Sequence, residues 1–235
     1  MNRLVEAFYN PSPTMAVTFA QDLSDRDLEN VLAVADVAEF RVDLYPDNDL
    51  EYLKIQAGRL ATLPLLVTNR TIAEGGNCRL DEYDRGRIFL ELLSYVDGLD
   101  VELDSELLKD LVAATHQKDK IVIASTHNFV ETPTIRNMYK LYWRSLESGA
   151  DFVKLAFAVN TPEEFQRLVA FTISHREENL ISVGMGKFGP LSRIILPALG
   201  SRLTYAHAGK SELALGQMDY LETISLLHRL VPDLE

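Results

Sequence analysis

The chain has 235 residues with a formal net charge of −12, 47% hydrophobic and 25% charged residues, and a single cysteine, Cys78. The acid excess argues against a nucleic-acid partner, and no run reaches the roughly eighteen apolar residues of a membrane span, so no membrane role is expected. One cysteine excludes a disulfide framework and a thiolate metal cluster; with no apolar leader in Met1–Val17, a cytoplasmic protein is expected.

Short apolar runs then alternate with longer amphipathic ones. Residues 1 to about 13 read as an N-terminal extension. Met15–Phe19 reads as the first strand, followed by a helix capped by Ser24 with Asp27 and running to about Ala35. Val37–Val42 is the second strand, followed by a helix near Leu50–Leu60. Pro64–Asn69 is the third, followed by Glu82–Leu93. Val96–Leu103 and Ser105–His116 make the fourth unit. Ile121–Ser125 is the fifth strand, and Thr132-Pro133 reads as the cap and first turn of a helix reaching Ser148. Phe152–Ala156 is the sixth strand. Thr161-Pro162-Glu163-Glu164 has the form of a capping box opening a helix to about His175. Leu180–Gly184 and Pro190–Leu199 make the seventh unit, and Leu203–Ala208 is the eighth strand. Tyr220, Ile224, Leu227 and Leu230 recur at helical spacing in the last helix. Eight βα units in one domain spanning the chain favour an α/β fold, a (βα)8 TIM barrel. An open doubly wound sheet is the alternative, and the chain lacks the G-x-G-x-x-G and Walker loops such sheets often carry.

In a barrel, reactive groups stand at the C-terminal strand ends. Lys154 is the most telling of them, since it sits among Phe152, Val153, Leu155 and Phe157, where a lysine needs a partner or a purpose. Desolvation in apolar surroundings would make its amine a nucleophile for carbonyl carbon. Alternation puts Glu39, Arg41 and Asp43 on one face of the second strand, away from Phe40 and Val42. Glu39 and Arg41 can equally be an ion pair at the barrel bottom. Arg70 and Glu74 follow the third strand and His127 the fifth; Met185, Lys187 and Arg193 follow the seventh. Asp100, Glu102 and Asp104 read as structural and half solvated, and His116, His175, His207 and His228 as surface or packing residues. No metal-ligand spacing is present, although Glu102 and Asp104 leave a magnesium site open. Gly184–Gly189 reads either as a phosphate cradle or as a plain loop.

A lysine imine withdraws electrons and acidifies the neighbouring carbon. A neutral imidazole such as His127, with Glu74 fixing its tautomer, can remove that proton and return it to a departing β-hydroxyl, with no cofactor. Arginines in so acidic a chain suggest a carboxylate on the substrate.

The chain resembles the type I 3-dehydroquinate dehydratases, the Schiff-base dehydroquinases of the shikimate pathway. The pieces that carry the resemblance are Glu39–Asp43 (EFRVD), Thr68–Gly76 (TNRTIAEGG), Ser125–Pro133 (STHNFVETP), Gly149–Ala156 (GADFVKLA), Val183–Arg193 (VGMGKFGPLSR) and Leu215–Gln217 (LGQ). The resemblance implies that Lys154 forms the imine, that His127 is the general acid/base and that Glu74 is its carboxylate partner. It also implies substrate contacts from Glu39, Arg41, Arg70, Met185, Arg193, Tyr205 and Gln217, with Tyr205 where the family often has phenylalanine. The implied reaction dehydrates 3-dehydroquinate to 3-dehydroshikimate by syn elimination, in a homodimer. One stretch departs from the pattern: the family's Ser/Thr-Ala-Pro-Gly-Gln reads Leu213-Ala214-Leu215-Gly216-Gln217, which implies weaker substrate binding and a less ordered loop. Other lysine–imine barrels, such as class I aldolases, and a non-catalytic barrel used for binding remain as alternatives.

Overall fold

Strands buried on both faces need side chains that are apolar almost throughout, and the eight apolar runs meet that need. In the computed structural model, which describes residues 1–46, 49–209 and 214–231, every residue of β1 (Met15–Phe19), β3 (Leu65–Thr68), β4 (Gly98–Glu102), β6 (Phe152–Ala158), β7 (Leu180–Met185) and β8 (Thr204–His207) is buried. β2 (Val37–Arg41) and β5 (Ile121–Asn128) turn partly outward only at their C-terminal ends. The strands form one parallel sheet in the order β7-β6-β5-β4-β3-β2-β1-β8. Helices α2 (Asp25–Leu32), α3 (Leu50–Leu60), α4 (Glu82–Leu92), α5 (Leu108–His116), α6 (Ile135–Glu147), α7 (Pro162–Ser174), α8 (Gly189–Ala198) and α9 (Tyr220–Leu230) follow the strands in turn, giving a (βα)8 barrel.

The seam between β7 and β8 is closed largely by side chains. Arg202 N–H donates to Leu180 O (2.9 Å). Ser182 N–H donates to Ser201 Oγ (2.9 Å), and that hydroxyl donates back to Ser182 O. Gly184 N–H donates to Ser192 Oγ (3.1 Å) on α8. Serine hydroxyls thus satisfy strand amides that a full ladder would otherwise pair.

Local chemistry accounts for most boundaries. Ser24 Oγ accepts from Asp27 N–H, and Thr161 with Glu164 forms the capping box read from the sequence. β5, β6 and β7 run past their expected ends, to Asn128, Ala158 and Met185, and three other differences involve local contacts. The cap of α6 is Thr134, whose side chain accepts from Asn137 N–H, while the Thr132 hydroxyl donates to Ala158 O (2.7 Å) at the end of β6. α5 begins at Leu108; Ser105 lies in the turn before it, where its Oγ accepts the Leu107 amide (3.2 Å) and donates to Glu82 on α4. Within residues 1 to 13, Arg3–Phe8 form a helix, α1, whose Leu4 and Phe8 pack against Ile121, Phe152 and Leu203. Each such side chain contributes about 1.5–3 kcal/mol by leaving water.

Candidate active site

Strand pleat decides which side chains enter the barrel. Phe40 packs outward with Val42 in the cluster beneath the helices. Glu39 and Arg41 face inward with Thr18, Arg70, His127, Lys154 and Tyr205 to line a cleft of about 310 Å³ at the strand C-termini. Glu74, Gly75, Phe129, Arg193, Ala214, Leu215 and Gln217 complete the walls from the loops. Nine of the ten residues picked from the sequence therefore meet in one cleft. Met185 is the exception: it is buried at the end of β7, in the interior cluster that also holds Ala156 and Tyr205.

Lys154 is buried, but its amine has ionic partners in place of the expected apolar lining. Its Nζ donates to Asp100 Oδ2 at 2.9 Å and lies 3.9 Å from Glu39 Oε1 and 4.1 Å from the centre of the Tyr205 ring. Asp100 is the residue that the sequence reading missed. It is fully enclosed, and its other oxygen accepts from Arg70 Nη2 (2.6 Å) and Ser125 Oγ (2.6 Å). Burial alone would raise the Asp100 pKa, but the adjacent Arg70 and Lys154 cations hold it well below the usual carboxylate range. Glu102 is likewise buried, taking the Thr71 amide (2.9 Å) and pairing with Arg85 from α4, so neither carboxylate is half solvated; Asp104 alone is exposed, paired with Arg144.

Glu39 and Arg41 do not pair with each other. Arg41 makes a two-pronged bridge to Asp43 (2.9 and 2.8 Å), which leaves the strand in a 3-10 turn and also accepts the Arg70 and Asn77 amides. Glu39 accepts from the hydroxyls of Thr18 (2.7 Å) and Thr68 (3.0 Å). His127 is placed by the extra length of β5, which runs past Ser125 to Asn128. Its Nδ1 lies 2.8 Å from Glu74 Oε2. Burial, then the Arg70 and Lys154 charges, push the imidazole pKa well below its ordinary value, so the ring is neutral near pH 7. Burial pushes Glu74 up to about 7, against the pull of Arg70.

Arg193 sits at the far end. Its Nε donates to Gly216 O (2.9 Å) and its Nη1 to Tyr205 O (3.1 Å), tying the segment before α9 to α8. That approach needs glycine on both sides: a Cβ on either Gly189 or Gly216 would come within 2.8 Å of the other's Cα. Gln217 is buried, with Nε2 on Thr18 Oγ (3.1 Å). Leu213, the main departure from the family pattern, lies outside the described residues. The Gly184–Gly189 loop is no phosphate cradle, because the amides of Gly184, Gly186, Lys187 and Phe188 already donate to protein oxygens. Among the described residues, no group of three His, Cys, Asp or Glu side chains is placed to hold a metal ion, and no helix is long and apolar enough to cross a membrane.

Residues 16–230 match the family model described as type I 3-dehydroquinase. The chain is 32% identical over 199 residues to a 3-dehydroquinate dehydratase of Thermodesulfovibrio yellowstonii (83% of this chain, 85% of that one). It is 33% identical over 208 residues to one of Methanosarcina barkeri (83% and 86%). The crystal structure of the 3-dehydroquinate dehydratase from Aquifex aeolicus superposes with a TM-score of 0.82 at 29% identity, covering 92% of this chain and 98% of that one. With the match spanning nearly the whole barrel, the chain belongs to the type I 3-dehydroquinase family.

Proposed function

We propose that Lys154, His127 and Glu74 carry the chemistry of this lyase, which converts 3-dehydroquinate to 3-dehydroshikimate through a Schiff base. After its ammonium gives up a proton to solvent, the Lys154 amine adds to the substrate ketone, and loss of water gives a protonated imine that acidifies the neighbouring carbon. His127 Nε2 takes the proton from that carbon while Nδ1–H donates to Glu74, which fixes the tautomer and stabilises the imidazolium. The enamine then expels the β-hydroxyl, and the same imidazolium returns its proton to the departing oxygen, so both events occur on one face. Hydrolysis of the product imine frees Lys154.

Arg193 and Gln217 are read as binding the substrate end remote from the ketone, with the Arg193 guanidinium on its carboxylate. Arg41, held by Asp43, and Glu39 and Arg70 are read as its hydroxyl partners. Asp100 orients the Lys154 amine. Tyr205, its ring 4.1 Å from the Lys154 amine, is read as packing beside the imine, and Met185 as backing it from the end of β7. The observation that carries this reading is a buried amine facing a neutral imidazole in one cleft. The aldolase alternative finds no support, since its phosphate loop would need the amides that are already bonded.

Incubation with 3-dehydroquinate and borohydride tests the reading. The expected result is a reduced adduct on Lys154 by mass, with conjugated enone forming when the reductant is left out. Enone formation with an adduct on another residue, or on none, refutes the assignment of Lys154. A cytoplasmic setting belongs to the same reading, supported by the lone buried thiol of Cys78. So does a homodimer. Ile135, Tyr139 and Trp143 form an exposed apolar stripe along α6 that a second copy can cover, and light scattering at twice the chain mass is the expected result.

A further inference from the structure

Phe129 stands two residues beyond His127 at the rim of the cleft, 41% exposed. The side chains of Glu74 and His127 are only 16% and 11% exposed. The Phe129 ring is seated on Gly75: a Cβ at that position would overlap the ring, and the backbone there has φ +77°. Glycine is required twice, for the left-handed turn and for the contact. The phenyl and imidazole planes are nearly parallel, 13° apart, with centres separated by 6.2 Å.

We propose that Phe129 is a positioning residue for proton transfer: its ring, seated on Gly75, shields the Glu74–His127 pair from bulk water and confines the working proton to that pair. The ring carries no charge and bonds to neither partner, so it acts through dryness alone. The charged groups facing the pair come from other elements. They are Arg41 at the end of β2, Arg70 after β3 (4.0 Å from Glu74 Oε2), Asp100 on β4, Asp104 after it, and Lys154 on β6. All of them stay when the ring goes. Burial is the largest single influence on both partners, lifting Glu74 and lowering His127, and burial is what the ring supplies.

The proposal rests on the roles given to His127 and Glu74 above, and its test separates the two. In substrate-free protein, the His127 ring is titrated by NMR in wild type, Phe129→Ala and Phe129→Leu, and the acid limb of kcat/KM is measured alongside. In Phe129→Ala the His127 midpoint is expected to rise by about one pH unit toward its ordinary value, and the acid limb to follow. Leucine, bulky and apolar, is expected to keep both near wild type. Gly75→Ala, which displaces the ring, is expected to move them in the alanine direction if Phe129→Ala does not fold. An unmoved His127 midpoint in the alanine variants overturns the proposal, even if kcat falls. A midpoint that moves without the acid limb supports the shielding and overturns His127 as the base.

Discussion

Asp100→Asn isolates the most concentrated electrostatics in the barrel. The wild-type carboxylate accepts from Lys154 Nζ (2.9 Å), Arg70 Nη2 (2.6 Å) and Ser125 Oγ (2.6 Å), all buried. The amide keeps the shape but leaves two enclosed cations short of a counter-charge. Removing one partner of a buried pair costs about 3–5 kcal/mol. The lower figure applies here, because Glu39 remains 3.9 Å from Lys154 and Glu102 3.6 Å from Arg70. At about 2–4 °C per kcal/mol for a chain of this size, Tm should fall by about 6–12 °C at pH 7. The double variant Asp100→Asn with Lys154→Met should recover part of the loss, since one stranded cation goes with it.

The pH dependence of the same variant gives a second reading. The folded pKa of Asp100 lies below its unfolded value, so the unfolded chain binds the extra proton in between. Stability from this group is full above about pH 4 and is lost as pH falls, at about 1.4 kcal/mol per pH unit. Asp100→Asn should therefore unfold in urea with a flatter loss of stability below pH 4. A Tm within about 2 °C of wild type, or an unchanged acid slope, would refute the reasoning.

Glu74→Gln tests the neighbouring pair. Glu74, pushed up to about 7, contributes stability that is present below its ordinary value and lost as pH rises through 7; His127, pushed down, contributes stability that is present above 6.5 and lost as pH falls. The two partly cancel in wild type. Urea unfolding of Glu74→Gln should thus show stability rising more steeply between pH 5 and 6.5, and an unchanged slope would count against the shifts. Arg193→Lys replaces a planar fork bonded to Gly216 O and Tyr205 O by a single ammonium; KM should rise about tenfold with a smaller fall in kcat, and an unchanged KM would remove Arg193 from substrate binding.

The cleft was largely legible because a barrel turns sequence position into place. Lys154 lies within β6, and His127, Arg70 and Arg41 lie near or just beyond strand ends; all share a pleat phase, so apolar runs and alternation suffice to bring them together. Asp100 escaped because alternating acids also describe a solvated edge. The missing signal was relational: β4 faces β5 and β6, and inward carboxylates two strands from an inward lysine are partners. Arg85 escaped for a similar reason, since EYDRGR reads as a surface helix until Glu102 is known to lie beneath it. Thr132 is tied to Ala158, 26 residues along the chain and outside any local pattern. Sequence reasoning thus located groups by period, and missed those whose role is set by a neighbour distant along the chain.

The serine seam gives the barrel a direction of give. Elsewhere, opening the cylinder means unzipping a ladder of regular pairings, whereas between β7 and β8 it means releasing a few hydroxyls, each worth about 1 kcal/mol. Arg193 and Met185 flank that line, while Lys154, Asp100 and His127 stand on the continuous side. The wall that grips the far end of a substrate can therefore breathe by fractions of an ångström without disturbing the register of the amine and the imidazole. Amide exchange should start there first, making the seam the barrel's expansion joint.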